Sequence, residues 1–409
     1  MDDDLSFDYS ELDHAPPTAQ GTYLEGINEG VERLDDYQSG GYHPLHLGDV
    51  LAGRYRVIHK LGHGGFGTVW LCRDTQDPGY VAVKVIAGDV ETVPDLALTR
   101  FQGAPGAELI AIPRDHFSVT GPNGTHQCIV LPVLGPCVSP DLWLKLKDPG
   151  LVLRRMAYQA AQALGFLHRH GLCHGDFRPS NILVKLKNLN QLPEDRLLEL
   201  LGPPLKAHVR SQSGDLPASS PQYLVCQADT SRLGEYMTDD ICVIDFGESF
   251  PIASPPPDLG MPENYLPPEV LLGENAVGLP CDLWALGCTL FEIREQLPLF
   301  YMITDPDELL AEFVRFFGKP PRSFRDKWEA WGDFFDEQGR WIQGGEDWSL
   351  EVALSKPIEV IENGRVKALI TSAEEQKLMA DLLYKLFQYE PDKRWSVEDV
   401  LAHDWFKMR

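Results

Sequence analysis

No CxxC pair occurs in this sequence, although it holds eight cysteines: Cys72, Cys128, Cys137, Cys173, Cys226, Cys242, Cys281 and Cys288. Scattered thiols argue against a disulfide framework or a cysteine-rich zinc site. They point to reduced thiols in a cytosolic or nuclear protein. Positive charge is scarce too. Lys and Arg total 36 against 61 Asp and Glu, a formal net charge of −25. A nucleic acid would be repelled over most of such a surface, so direct nucleic-acid binding is not expected. A basic peptide partner is compatible with the charge, and so is plain solubility. The opening residues Met1-Asp2-Asp3-Asp4 carry no basic segment and no apolar run after it, so no signal peptide is expected. The apolar run from Cys128 to Leu134 is too short to span a bilayer, and no membrane segment is expected.

What is present is a chain of 409 residues with a 43% hydrophobic content, enough for two or three core-sized units. Residues 1–40 hold many acidic groups and one basic one, Arg33, with no helical or strand period; they read as an acidic disordered tail. Residues 41–134 read as a small β-rich lobe. The runs Tyr55 to Lys60, Thr68 to Arg73 and Tyr80 to Ile86 are strand-like and separated by turn residues. Residues 135–409 read as a larger helical lobe. Leu153, Met156, Ala157, Ala160, Ala161, Leu164 and Leu167 recur at helical spacing before a stop at Gly171, and Ser372 is placed to cap a later helix. A Ser/Pro/Gly-rich stretch at about 186–240, with one short helix near Pro193 to Leu201, interrupts this lobe as a surface insertion. The fold class is therefore α+β and bilobal.

Four motifs follow one another in an order that suits phosphoryl transfer. Gly62-His63-Gly64-Gly65-Phe66-Gly67-Thr68-Val69 joins two strand-like runs. Its glycines would let backbone amides approach phosphates without a Cβ clash. A glycine loop alone is also an ordinary hairpin turn. Val81-Ala82-Val83-Lys84 lies in the next strand, where a lysine is costly without a partner charge; the phosphates of ATP would supply one. His174-Gly175-Asp176-Phe177-Arg178-Pro179-Ser180-Asn181 places a carboxylate and an amide five residues apart. Asp176 suits the base that accepts the acceptor's proton, and Asn181 suits a Mg²⁺ ligand. Arg178 can offset charge on the transferring phosphate. Asp245-Phe246-Gly247 follows the apolar strand from Ile241 to Ile244, with Asp245 as the second Mg²⁺ ligand.

These motifs resemble those of the protein kinases over roughly residues 50–409. Pro267-Pro268-Glu269, the helix motif from Asp282 to Cys288 and Arg394 extend the likeness. The segments Tyr42 to Asp49, Gly121-Pro122-Asn123-Gly124, Leu134-Gly135-Pro136 and Asp245 to Phe250 resemble the SR-protein kinases, particularly the fungal ones. The resemblance implies a serine/threonine kinase of Arg/Ser-rich proteins linked to RNA splicing, acting as a monomer in cytoplasm and nucleus. It implies an adenine site between Leu61, Val69 and Ala82 on one side and Leu183 on the other. Leu131 would be the gatekeeper, and Pro132 and Leu134 the hinge residues. It also implies that Glu269 and Arg394 form an ion pair. Asp305, Asp307 and Glu308 lie where that family forms an acidic docking groove, although charges at a helix start read equally well as partners of its dipole.

Two positions depart from the pattern. Gly175 stands where many kinases have an arginine that binds a phosphate on the activation loop, so no dependence on activation-loop phosphorylation is expected. No glutamate is evident to pair with Lys84. The favoured register places Ala97 there, with Asp95 and Glu91 offset or short. This supports an alternative reading, a pseudokinase scaffold with weakened catalysis. A small-molecule kinase shares the His-Gly-Asp motif but lacks the later ones. Tyrosine specificity is left open by Arg178.

Overall fold

In a computed structural model, residues 18–23, 30–211, 215–274, 276–344, 348–362 and 365–408 are described. The chain divides into two compact units, one of residues 1–100, 112–135 and 186–237 and one of residues 101–111, 136–185 and 238–409. The first is β-rich and the second mainly helical.

The first unit is built on a six-stranded antiparallel sheet: β1 (Val50–Leu51), β2 (Tyr55–Gly64), β3 (Gly67–Asp74), β4 (Gly79–Ile86), β5 (Asp115–Gly121) and β6 (Gly124–Leu131), in the spatial order β1-β2-β3-β4-β6-β5. An antiparallel sheet commonly leaves one face to water. Here every residue of β4 is buried. One face packs Val57, Trp70, Val83 and Val130 into a core cluster. The other packs Ile58, Leu71 and Tyr80 against Leu197, Leu201 and Leu233, which come from residues 186–237. Burial of each such leucine is worth roughly 1.5–3 kcal/mol.

The stretch expected as a surface insertion in the helical lobe is thus the second cover of the small sheet. Its helix Glu194–Leu201 presents Leu197 and Leu201, four residues apart, to the strands. Asn190 and Leu192 accept hydrogen bonds from the Tyr80 amide and hydroxyl, each at 2.9 Å. The expected acidic tail also needs correction in part. Leu34 and Tyr37 are buried against Ala207 and Leu224 of the same insertion. Residues 1–17 and 24–29 of that tail lie outside the described residues.

The second unit is organised around α1 (Pro149–Arg169) and α2 (Leu279–Glu295). Helix α1 starts where the Asp148 side chain accepts the Leu151 amide and Pro149 occupies the first helical position. Its buried face includes Leu153, Met156, Ala160 and Leu164, the predicted stripe. Helix α2 is apolar almost all round and buried from Cys281 to Glu295, as a central helix must be. Helix α3 (Pro306–Phe317) is capped by Asp305. Helix α4 (Ala373–Leu386) is capped by Ser372, as its sequence predicts. The aromatics between α3 and α4 pack on one another, with Trp331 stacked on Phe335 at 4.6 Å. None of the eight cysteines is in a disulfide, and all but Cys137 are buried. Among the described residues no helix is long and apolar enough to cross a membrane.

Candidate active site

The first unit carries the phosphate-loop residues and Lys84. Strands β2 and β3 pair up to Gly64 opposite Gly67, with Gly65 and Phe66 as the turn. At Gly67, φ is +149° and an added Cβ would sit 2.1 Å from the Val85 carbonyl oxygen, so the backbone itself demands glycine. At Gly64 and Gly65 an added Cβ would meet nothing of the described chain within 4 Å. Nothing in the fold's own packing requires glycine there, whereas a close-approaching phosphate would. Val69 lies opposite Lys84 across β3 and β4, and Ala82 lies opposite Leu131 across β4 and β6. Leu61 and Gly62 lie within the last four residues of β2, and Pro132 and Leu134 follow β6. Leu183 belongs to the second unit, in the strand Ile182–Leu186.

Lys84 does have a carboxylate partner. Its Nζ is 3.7 Å from Asp95 Oδ1, and both residues are buried. Asp95 stands at the start of a 3-10 helix, Pro94–Phe101, pinned by the fully buried Leu98. Ala97, the position favoured from sequence, is exposed. An α-helical register was assumed, and the tighter 3-10 turn places its second residue inward instead. The pseudokinase argument from an unpaired Lys84 therefore loses its ground. Asp95→Ala should loosen the lysine and lower kcat/KM for ATP by roughly tenfold or more, with Asp95→Glu keeping more activity than Asp95→Ala; steady-state kinetics at varied ATP check this.

The second unit brings Asp176, Arg178, Asn181 and Asp245 onto two joined loops. Asp282, in α2, receives the amides of His174 at 2.8 Å and Gly175 at 3.1 Å, and His168 Nε2 lies 2.9 Å from it. Burial alone would raise its pKa, but the His168 bond and charge, then the His174 charge and amide, hold this carboxyl below its usual value. It thereby fixes the start of the loop that carries Asp176. His174 is buried, and its ring packs on Phe246 at 4.9 Å. The Ile244 amide donates to the Asn181 carbonyl at 2.9 Å, which sets Asp245, the next residue, beside the loop. Asp245 has φ +60°, a left-handed conformation uncommon for a side chain other than glycine.

Asp176 is buried and accepts from Arg178 Nε at 2.9 Å and from Asn181 Nδ2 at 2.7 Å. Burial raises its pKa; Arg178, His174 and Asn181 work against that rise. Arg178, expected beside the transferring phosphate, here donates to the Asp176 carboxylate. Asn181 Nδ2 also donates to the Asp176 carbonyl at 2.9 Å, which turns the amide oxygen the other way, as an acceptor for a cation. Glu248 adds a further carboxylate. Its pKa is raised by burial first and then by the charges of Asp176 and Asp245.

The donor set is one of hard oxygens. Among the described residues no group of three or more His, Cys, Asp or Glu forms a metal cage by itself. A cation held by Asp245 and Asn181 would need phosphate oxygens and water to complete its shell, which suits Mg²⁺ and not zinc. The residues present fit such an ion, and the mutual repulsion of Asp176, Asp245 and Glu248 would be relieved by it.

Gly175 has φ +79°, and a Cβ there would sit 2.3 Å from the Glu248 carbonyl oxygen. The segment after Asp245 is held by backbone: Phe250 pairs with Cys173, and the Ile252 amide donates to the Gly171 carbonyl at 3.0 Å. Of its hydroxyls, Tyr265 is buried and donates to Glu292, and Ser249 donates to the Phe246 carbonyl at 2.8 Å. Glu269 and Arg394 form the expected pair, bidentate with both contacts at 2.6 Å and buried. Sequence reasoning named Asp95 only as an offset neighbour of Ala97, and Glu248 only as part of the segment Asp245 to Phe250. Pro94 was a usable signal for the first; nothing local marked the second.

Residues 233–406 match the protein kinase domain family. That span takes in Asp245, Glu269, Asp282 and Arg394 and leaves the glycine loop, Lys84 and Asp176 to the longer similarities. The serine/threonine-protein kinase SRPK of Physarum polycephalum is 28% identical over 94% of this chain and 92% of its own length. The dual specificity protein kinase CLK1 of Homo sapiens is 26% identical over 88% of this chain and 67% of its own length. The serine/threonine-protein kinase spk-1 of Caenorhabditis elegans is 33% identical, over 52% of this chain and 22% of its own length.

Proposed function

We propose that this chain, a protein kinase similar to the SRPK enzymes, transfers the γ-phosphate of ATP to serines of Arg/Ser-rich proteins of the splicing machinery. The observation that carries the reading is the Asp176 network: a buried carboxylate oriented by Arg178 and Asn181, one backbone bond away from Asp245. In this reading the first unit supplies the glycine-loop amides and Lys84 for the phosphates. Within the first unit the adenine would lie against Leu61, Val69, Ala82 and Leu131, and the backbone of Pro132 and Leu134 would read its edge. Proline lacks an N–H but keeps its carbonyl. Asp245 and Asn181 would hold Mg²⁺, which neutralises charge on the β- and γ-phosphates. Asp176 orients the acceptor hydroxyl and takes its proton as that oxygen bonds the γ-phosphorus and the bond from the γ-phosphorus to the bridging oxygen breaks, releasing ADP. Arg178 then stands next to both the base and the charge that develops. Positioning and electrostatics supply most of the rate.

A basic substrate is supported by the net charge of −25 and by one cavity of the second unit, about 910 Å³, lined in part by Glu308, Glu312, Phe316, Trp341 and Trp348. Arg315 already pairs with Glu312 there and lies 4.7 Å over the Trp341 ring. Acid plus aromatic face is the surrounding that a guanidinium favours. Nucleus and cytoplasm are where such substrates are found. Arg/Ser-repeat peptides should be phosphorylated with kcat/KM at least tenfold above that of peptides with Arg replaced by Gln; equal rates would contradict the substrate assignment.

The segment around Gly175 needs no phosphate to hold it. Phosphatase treatment should leave the kinase activity of the purified protein within about twofold, read by peptide phosphorylation before and after treatment. A large loss would contradict a preset segment.

A further inference from the structure

The glycine-rich loop is tied down by parts of the first unit outside the sheet. Glycines lose more backbone freedom on ordering than any other residue, so a loop with four of them costs much to fix around a phosphate. Here that ordering is done beforehand. The Tyr42 hydroxyl donates to the Gly64 carbonyl at 2.6 Å, twenty-two residues away in sequence. Burial first, then the neighbouring Asp36, pushes the Tyr42 pKa up to about 12, so its phenol remains a donor. Tyr42 is held in turn: its carbonyl accepts Asn123 Nδ2 at 2.7 Å, its amide donates to Asp36 at 2.7 Å, and its ring meets Tyr37 edge-on at 5.7 Å.

The strand that feeds the loop is fixed as well. Lys60 is fully buried, and its ammonium pairs with Glu32, which also accepts from the Tyr37 hydroxyl. Residue 227 forms a parallel bridge to Lys60, the Ala228 amide donates to the Lys60 carbonyl at 2.9 Å, and the Gln227 side chain lies about 4.0 Å from where a Cβ on Gly62 would stand. On the far side of the hairpin, the Gly88 and Asp89 amides donate to Gly41 and Gly40 at 3.0 and 2.7 Å.

We propose that residues 30–42 and 226–228 form a strap that presets the glycine-rich loop for phosphate binding, with Tyr42 as its positioning residue. The consequence for ATP affinity rests on the kinase reading above; the restraint on the loop does not. Tyr42→Phe removes one hydroxyl and keeps the buried ring. In the full chain it should raise KM for ATP roughly fivefold, the worth of one ordinary hydrogen bond, with kcat within about twofold. In hydrogen exchange without nucleotide, amides of residues 61–68 should exchange roughly fivefold faster, while α1 and α2 keep their protection. Unchanged exchange at 61–68 overturns the strap, whatever the kinetics. Faster exchange in a protein whose wild type shows no ATP-dependent phosphorylation leaves the strap standing and removes the kinase reading instead. Faster exchange with an unchanged KM in an active enzyme overturns the link to nucleotide binding.

Discussion

Asp176→Asn is expected to lower kcat by about 10²–10⁴-fold while nucleotide affinity stays within a few-fold of wild type. The amide fits the same space but accepts no proton. The loop keeps its place because Asp282 fixes it through the His174 and Gly175 amides. Burial lifts the Asp176 pKa against the pull of Arg178, so the acid limb of kcat should lie above the ordinary aspartate value of about 3.9. The sign follows from the role. The base acts as the anion, so turnover falls as pH drops through the raised pKa and levels off above it. A pH–rate profile that has no acid limb, or an active Asp176→Asn enzyme, would remove Asp176 from the reaction.

The largest stability effect is expected at Glu269 and Arg394. Both are buried, and two contacts of 2.6 Å join them. Arg394 also donates to the Pro280 and Gln388 carbonyls and lies 5.1 Å over the Trp284 ring. Glu269→Ala leaves that guanidinium buried without its anion, which costs about 3–5 kcal/mol. In a unit of this size, that lowers the melting temperature by roughly 10 °C. Arg394→Ala should cost at least as much, because two carbonyls lose their donor as well. The double variant Glu269→Met, Arg394→Leu should lose clearly less than the sum of the two. Thermal denaturation of the three proteins decides it, and additive losses would mean that the pair acts through other contacts.

What could be read from sequence was whatever is local. The stripe on α1, the Ser372 cap and the motif order depend on spacing within one element, and a period or a cap leaves a mark on the residues themselves. Long-range burial leaves less. The short helix near Pro193 to Leu201 read as part of a surface insertion, and only the fold reveals that its Leu197 and Leu201 cover Ile58 and Tyr80. Glu32 and Tyr37 sit in an acidic stretch of tail-like composition, yet both are buried because Lys60 gives the carboxylate a charge to meet. Asp95 was passed over because an α-helical register was assumed where the backbone takes a 3-10 turn. The motifs were legible as residue types and order, and the side-chain partners of Lys84 and Asp176 were not. That Arg178 binds Asp176, and that Glu248 closes on Gly175, are facts of geometry between loops.

The most direct measurement is transfer of label from [γ-³²P]ATP and Mg²⁺ to an Arg/Ser-repeat peptide by the purified chain, beside Asp245→Ala. Label on serine with the wild type, dependent on the metal and lost by at least a hundredfold in the variant, is the predicted result. No transfer by a folded wild type, or equal transfer by Asp245→Ala, would contradict it.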